Sequence, residues 1–368
     1  MKKNKLYQTL IVLILPVMAV MAGVLMTEFF WQLLSKNQNN IETRKFSLYS
    51  SDKNNVFRNI HSFFVYEKNA KIKSSAYILT NDFVKEYDYT ILTNNFGLVQ
   101  NKNIYPGIPS LLTLGDSFTE GQGALAWFEN LASERLPNIP QYINGGIMGT
   151  GFQQWELLHE HLIKNKILVK YLVVIFISDD YKRTTWNMSP KILECINNYL
   201  KCEGDEYFYG MPKNENDLKK FLGKLNDSRI EMMKKSTFKF VDAIEKYLPA
   251  TLSVLRYIEN MILDVESHES LRHNRDAILK LSNTYGENII YIHLPQKEEI
   301  SNRRISNLGI EARNEILKAG STLFDGFKEC SLSIEDYFMN DPHPNEIGYQ
   351  KISACVGKLI KRKWGEVK

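Results

Sequence analysis

The chain has 368 residues, of which 44% are hydrophobic and 24% charged; that is enough apolar surface for one large or two modest cores, and it excludes wholesale disorder. A net charge of +4 is mild, and the basic residues are scattered rather than striped with aromatics, so nucleic acid is not an expected partner. The sequence holds no internal repeat, low-complexity tract or glycine-rich phosphate loop.

At the N-terminus Lys2, Lys3 and Lys5 precede about 21 mostly apolar residues, Leu6 to Met26. At 1.5 Å per residue such a helix spans a ~30 Å hydrocarbon core. Residues 1–35 therefore read as a single-pass membrane anchor, with the basic end cytoplasmic and the rest of the chain periplasmic or otherwise extracytoplasmic. Cleavage after Val20-Met21-Ala22 is the alternative; Phe29, Phe30 and Trp31, suited to the far interface, favour retention of the anchor.

Residues 36–109 are polar and aromatic, with short β-like alternations at Phe63 to Tyr66, Tyr77 to Leu79 and Tyr87 to Leu92. They predict a β-rich N-terminal extension with no evident chemistry. From 110 to 368 strands and helices alternate. The strands expected are Leu111 to Leu114, Gln141 to Asn144, Tyr171 to Ile177, Asn288 to Leu294 and Ser321 to Phe324, a parallel sheet covered on both faces. A site in such a sheet lies beyond the carboxyl ends of the strands.

Between about 181 and 287 lies an insertion too long for an ordinary crossover. Its helical spacing, with Leu218, Phe221, Leu222 and Leu225 on one face, reads as a stripe buried against the core, with a lid or a partner-binding surface as the alternative. Cys195 with Cys202 and Cys330 with Cys355 form two pairs, each able to close a small loop in an oxidising compartment. With the export signal, two disulfides are expected. No Cys and His spacing suits zinc, and neither a metal nor a cofactor is expected.

The stretch Thr113-Leu-Gly-Asp-Ser-Phe-Thr-Glu-Gly121 places Ser117 where an apolar run stops at a glycine and a helix can begin. Helix-start amides and the helix dipole favour negative charge there, although many Gly-Asp-Ser triplets only cap a helix. More than two hundred residues later Asn340-Asp341-Pro342-His343-Pro344-Asn345 puts an acid and a histidine in a proline-punctuated loop. The two blocks together resemble the SGNH (GDSL-type) family of esterases, lipases and carbohydrate acetyl-group enzymes. The resemblance implies a three-layer α/β/α, flavodoxin-like fold with a five-stranded parallel sheet. It also makes Ser117 the nucleophile, His343 the base and Asp341 its orienter, although the family more often places the acid at the position of Asn340. A serine hydroxyl needs an imidazole to take its proton, and the imidazole needs a carboxylate to fix its tautomer.

By the same resemblance, Gly149 in Asn144-Gly-Gly-Ile-Met-Gly-Thr-Gly-Phe-Gln-Gln154 gives its backbone N–H, with that of Ser117, to the oxyanion. In the third block the family's asparagine, a further donor of the oxyanion hole, is replaced by Asp179 in Ser178-Asp179-Asp180. An ionised aspartate only accepts hydrogen bonds. The expectation is thus a serine esterase or acyl hydrolase acting on an acylated small molecule, glycolipid or polysaccharide, with O-acetyl groups the foremost candidates. An O-acyltransferase and a non-catalytic carbohydrate-binding or assembly protein are the alternatives.

Overall fold

In β1 (Arg44–Ser51) Phe46 and Leu48 are fully buried while Lys45 and Ser47 are half-buried, because successive side chains of a strand face opposite ways. The computed structural model describes residues 44–365, except 80–82, 125, 134–135, 184, 198–207, 211–214 and 237–263, together with Gly23. The chain forms two units, Thr43–Lys224 with Ser267–Lys368, and Met1–Glu42 with Leu225–Glu266. All candidate site residues belong to the first. After β1 come a hairpin of β2 (Phe57–Ile60) and β3 (Phe63–Tyr66), then β4 (Lys71–Leu79) and β5 (Phe83–Leu92), with β4 antiparallel to both β1 and β5.

The link from this sheet to the rest is the turn Thr93–Leu98. Asn94 Oδ1 accepts from the amides of Phe96 and Leu98 at 2.8 and 3.1 Å, and Gly97 sits at φ 79°, where a Cβ would lie 2.1 Å from the Tyr66 carbonyl oxygen. Only glycine fits a left-handed residue packed on backbone this closely.

The core alternates as expected. β6 (Ser110–Gly115) is followed by the one-turn helix α1 (Ser117–Glu120) and α2 (Ala126–Ser133); β7 (Gln141–Gly146) by α3 (Phe152–Lys164); β8 (Val169–Phe176) by a 3₁₀ turn, Ser178–Lys182. The insertion then contributes α4 (Pro190–Asn197), β9 (Phe208–Gly210), α5 (Glu215–Ser236) and α6 (Asp264–Tyr285). β10 (Ile289–His293), α7 (Lys297–Asn302), α8 (Asn307–Lys318), β11 (Thr322–Asp325), α9 (Gly326–Glu329) and α10 (Glu346–Trp364) complete the chain. The five core strands are parallel in the order β11-β10-β8-β6-β7, the flavodoxin-like order with its topological switch between β6 and β8.

Both faces of β8 are apolar, and each faces its own layer. Leu172, Val174 and Phe176 pack with Phe152, Trp155 and Leu158 of α3, Ile278 and Leu281 of α6 and Ile316 of α8. Val173 and Ile175 pack with Trp127, Phe128 and Leu131 of α2 and with Ile352, Val356 and Leu359 of α10. The fold is α/β in three layers. The insertion adds a strand to the helices expected of it: β9 runs parallel to β1 and extends the N-terminal sheet to the order β5-β4-β1-β9.

The expected membrane-spanning helix and signal anchor are corrected: among the described residues no helix is long and apolar enough to cross a membrane. The two longest, α5 and α6, carry charges every few residues. Residues 6–26, on which the anchor was expected, lie outside the described residues except for Gly23. Cys202 lies outside them too, so the pairing expected of it with Cys195 is not described.

Cys330, just after α9, is bonded to Cys355 in α10 across a separation of 25 residues. Closing a loop of that size stabilises a fold by about 3 kcal/mol. Cys330→Ser with Cys355→Ser should lower the unfolding free energy from urea titration by that amount, as should reduction of the wild type; an unchanged value would mean that the bond does not form.

Candidate active site

β6 ends at Gly115, where a side chain has no room: a Cβ would come within 1.9 Å of Thr119 Oγ1 and 2.4 Å of the Ile175 carbonyl oxygen. Asp116 then caps α1, its Oδ1 accepting from Phe118 N at 2.9 Å, and Ser117 opens the helix. Ser117 Oγ lies 2.7 Å from His343 Nε2. His343 Nδ1 is hydrogen-bonded to Asp341 Oδ1, which also accepts from the backbone amide of His343 at 3.0 Å.

The loop carrying the histidine is tied down on three sides. Phe338 N donates to the His343 carbonyl at 3.0 Å, Lys297 Nζ donates to the carbonyls of Phe338 and Met339, each at 2.7 Å, and Asn345 caps α10 by accepting from Gly348 N at 3.1 Å. Of the two neighbours considered for the acid position, Asp341 faces the imidazole. Asn340 is bound to Glu86 of β5, its amide N and Nδ2 donating to the carboxylate at 2.7 and 3.0 Å. Burial would raise the Asp341 pKa, but His343 and Lys45, which forms an ion pair with Oδ2, outweigh it and hold the carboxyl well below the usual range.

A second buried group of charges lies directly behind the nucleophile. Asp116 Oδ2 is 3.3 Å from Ser117 Oγ and 2.8 Å from Arg183 Nη1. The same Nη1 pairs with Asp180 Oδ1 and faces the Thr150 carbonyl at 3.4 Å. Asp180 Oδ2 accepts from Ile177 N at 2.9 Å. Burial and the charge of Asp116 push Asp180 upward against the pull of Arg183. Burial disfavours the Arg183 charge, yet Asp180 and Asp116 prevail and keep it fully cationic. Asn274 of α6 fixes the turn that delivers Arg183, donating to the carbonyls of Tyr181 and Arg183 at 2.7 and 2.9 Å.

The loop of the second block folds onto the nucleophile turn: Ile147 N donates to the Gly115 carbonyl at 3.1 Å, and Thr150 Oγ1 bridges the carbonyls of Ile147 and Gly115 at 2.6 and 3.4 Å. Gly149 adopts φ 70°, and a Cβ there would fall 2.5 Å from the Trp186 ring. The residue just before it is held by Glu120, whose Oε2 accepts from Met148 N at 2.8 Å. Glu120 Oε1 accepts from Tyr66 Oη of β3 at 2.9 Å. Its carboxyl is pushed up to about 8 by burial, against the hydrogen bonds from Tyr66 and Met148.

The Asp179 backbone N–H donates to Gln296 Oε1 at 3.3 Å. Its carboxylate is bound to Lys182 Nζ at 2.7 Å and to Gln296 Nε2 at 3.0 Å. Burial would raise its pKa, but Lys182 and Gln296 lower it, so it is an acceptor only. In that state the side chain has no hydrogen to give at the oxyanion-hole place that the resemblance assigns to this position.

No family model matches the sequence, and no curated protein does. Among solved structures, a catalytic mutant of an acetylxylan esterase from Geobacillus stearothermophilus is 13% identical, with 71% of this chain and 96% of that one covered and a TM-score of 0.34. A member of the lipolytic protein G-D-S-L family from Veillonella parvula is 15% identical, covering 69% and 99%, with a TM-score of 0.30. An alpha/beta hydrolase enzyme from the metagenome of Lake Arreo is 11% identical, covering 72% and 98%, with a TM-score of 0.34. With overlaps this loose, the functional reading rests on the side chains of this chain.

Three residues at the site escaped the sequence reading: Lys45, Glu120 and Arg183. Glu120 stood inside the nucleophile motif and Arg183 lies three residues after Asp180, so both had a positional signal; Lys45 had none. A carboxyl raised on folding contributes stability that is complete below its unfolded value, near 4.5, and lost as pH rises through about 8. The wild type should therefore lose stability between about pH 5 and 8, and Glu120→Gln should lose less. Urea midpoints at the two pH values test this; equal losses in the two proteins would contradict it.

Proposed function

We propose that the chain is a serine esterase or acyl hydrolase working through an acyl-Ser117 intermediate. The observation that carries this reading is the line of hydrogen bonds from Ser117 Oγ to His343 Nε2, 2.7 Å, and from His343 Nδ1 to Asp341, between residues 226 positions apart. In the proposed reaction His343 takes the hydroxyl proton as Oγ attacks the ester carbonyl, and the imidazolium forms beside the Asp341 carboxylate. The oxyanion is received by the backbone amides of Ser117 and Gly149. His343 returns its proton to the leaving alkoxide, then activates water to release the acid and free the serine.

The Trp186 ring against Gly149 supports a short acyl group, and O-acetyl esters of a surface polysaccharide or glycolipid are the substrates we favour. Transfer would use the same intermediate with a sugar hydroxyl in place of water. The Cys330–Cys355 bond supports an oxidising, extracytoplasmic location. The ionised Asp179 favours a second reading, a non-catalytic binding protein on this scaffold.

Labelling separates the two. A fluorophosphonate probe should modify the wild type at Ser117 and leave Ser117→Ala unlabelled. His343→Ala should lower hydrolysis of a small acetyl ester by about 10³-fold or more. A folded wild type that takes no label would leave the scaffold reading in place.

A further inference from the structure

The N-terminal extension, to which the sequence assigned no chemistry, places a cation on the acid of the proposed triad. Residues 45, 47 and 49 share one face of β1. Both long side chains of that face reach the site: Tyr49 Oη donates to Met148 Sδ at 3.2 Å, and Lys45 Nζ forms an ion pair with Asp341 Oδ2. The ammonium also lies 5.5 Å from the centroid of the Tyr87 ring of β5. The Asp341 side chain is fully buried, so its two oxygens are divided between His343 on one side and Lys45 on the other.

We propose that Lys45 is a positioning residue of the site, which holds Asp341 in place from the N-terminal sheet and so keeps His343 aimed at Ser117. The proposal rests on the reading of Ser117 and His343 as nucleophile and base. The cation fixes the outer carboxylate oxygen, while the inner one is bonded to His343 Nδ1, and it thereby sets the rotation of the group that orients the ring.

The other charges around the pair are spread over several elements. Asp116 with Arg183 stands behind Ser117, Glu120 of α1 is buried on the neighbouring loop, and Glu86 of β5 holds Asn340. Tyr49, Tyr87 and Tyr349 feel the Asp341 charge, but burial raises all three well above their ordinary values, so they do not titrate between pH 4 and 9. Lys45 is the cation in an ion pair with the acid itself.

The test uses the full chain with Lys45→Met and Lys45→Arg. Imidazole proton–carbon NMR follows the His343 resonances, assigned with His343→Asn, and the other histidines report whether each variant keeps its fold. In Lys45→Met fluorophosphonate labelling of Ser117 should slow by about tenfold, with the His343 resonances displaced and those of the other histidines unmoved, and Lys45→Arg should restore both. An unchanged labelling rate, undisplaced His343 resonances, or no rescue by arginine would overturn the proposal. If the wild type takes no label at Ser117, the catalytic reading fails, and the His343 resonances still decide what Lys45 does.

Discussion

Asp116 caps the helix that begins at Ser117, and its carboxylate is fully buried at the end of the first core strand. An unpaired charge in that position costs several kcal/mol, and a cation beside it offsets that cost. Arg183 supplies the cation from beyond the third core strand, and it brings Asp180, whose other oxygen caps the end of that strand through Ile177 N. The strand ends on either side of the topological switch are thus joined by charge as well as by the sheet. Ser117 is aimed by an arrangement in which each charged group is bonded to the next.

The N-terminal sheet packs on this arrangement instead of standing apart from it. Tyr66 of β3 holds Glu120, Glu120 holds the amide before Gly149, Glu86 of β5 holds Asn340, and Lys45 of β1 meets Asp341. The extension contributes a partner of a buried carboxyl on the oxyanion side and charges on the histidine side. These contacts give a physical reason for a polar, aromatic segment to precede a core whose own strands are almost wholly apolar.

How far the sequence could be read follows from the range of each signal. The strands of the parallel sheet are continuous apolar runs, and periodicity identifies them directly; Val169–Phe176 and Ile289–His293 lie within two residues of their expected bounds. Ser117, Asp341 and His343 were visible because glycine and proline punctuate short blocks around them. β9 was not, since three residues, Phe208–Gly210, carry no periodicity and gain their strand form only by pairing with β1. Lys45 was invisible for a similar reason: a lysine in an alternating strand reads as a solvated side chain, and only the tertiary fold sets it against a carboxylate almost three hundred positions away.

The third block shows the limit of transferring roles by position. An acid in place of an asparagine removes a donor and would also set a negative charge near a developing oxyanion; in other enzymes the loss of one such donor costs about 2.7 to 4 kcal/mol. The bonds to Lys182 and Gln296 deal with the charge but not with the donor: they give Asp179 a cation at 2.7 Å and an amide at 3.0 Å. In the proposed reaction the oxyanion then depends on backbone amides alone, which makes the hold of Glu120 on Met148 N a larger share of the remaining stabilisation. A site built this way gains from rigidity in the Gly149 loop, and the bonds that join that loop to Gly115, through Ile147 N and Thr150 Oγ1, supply it.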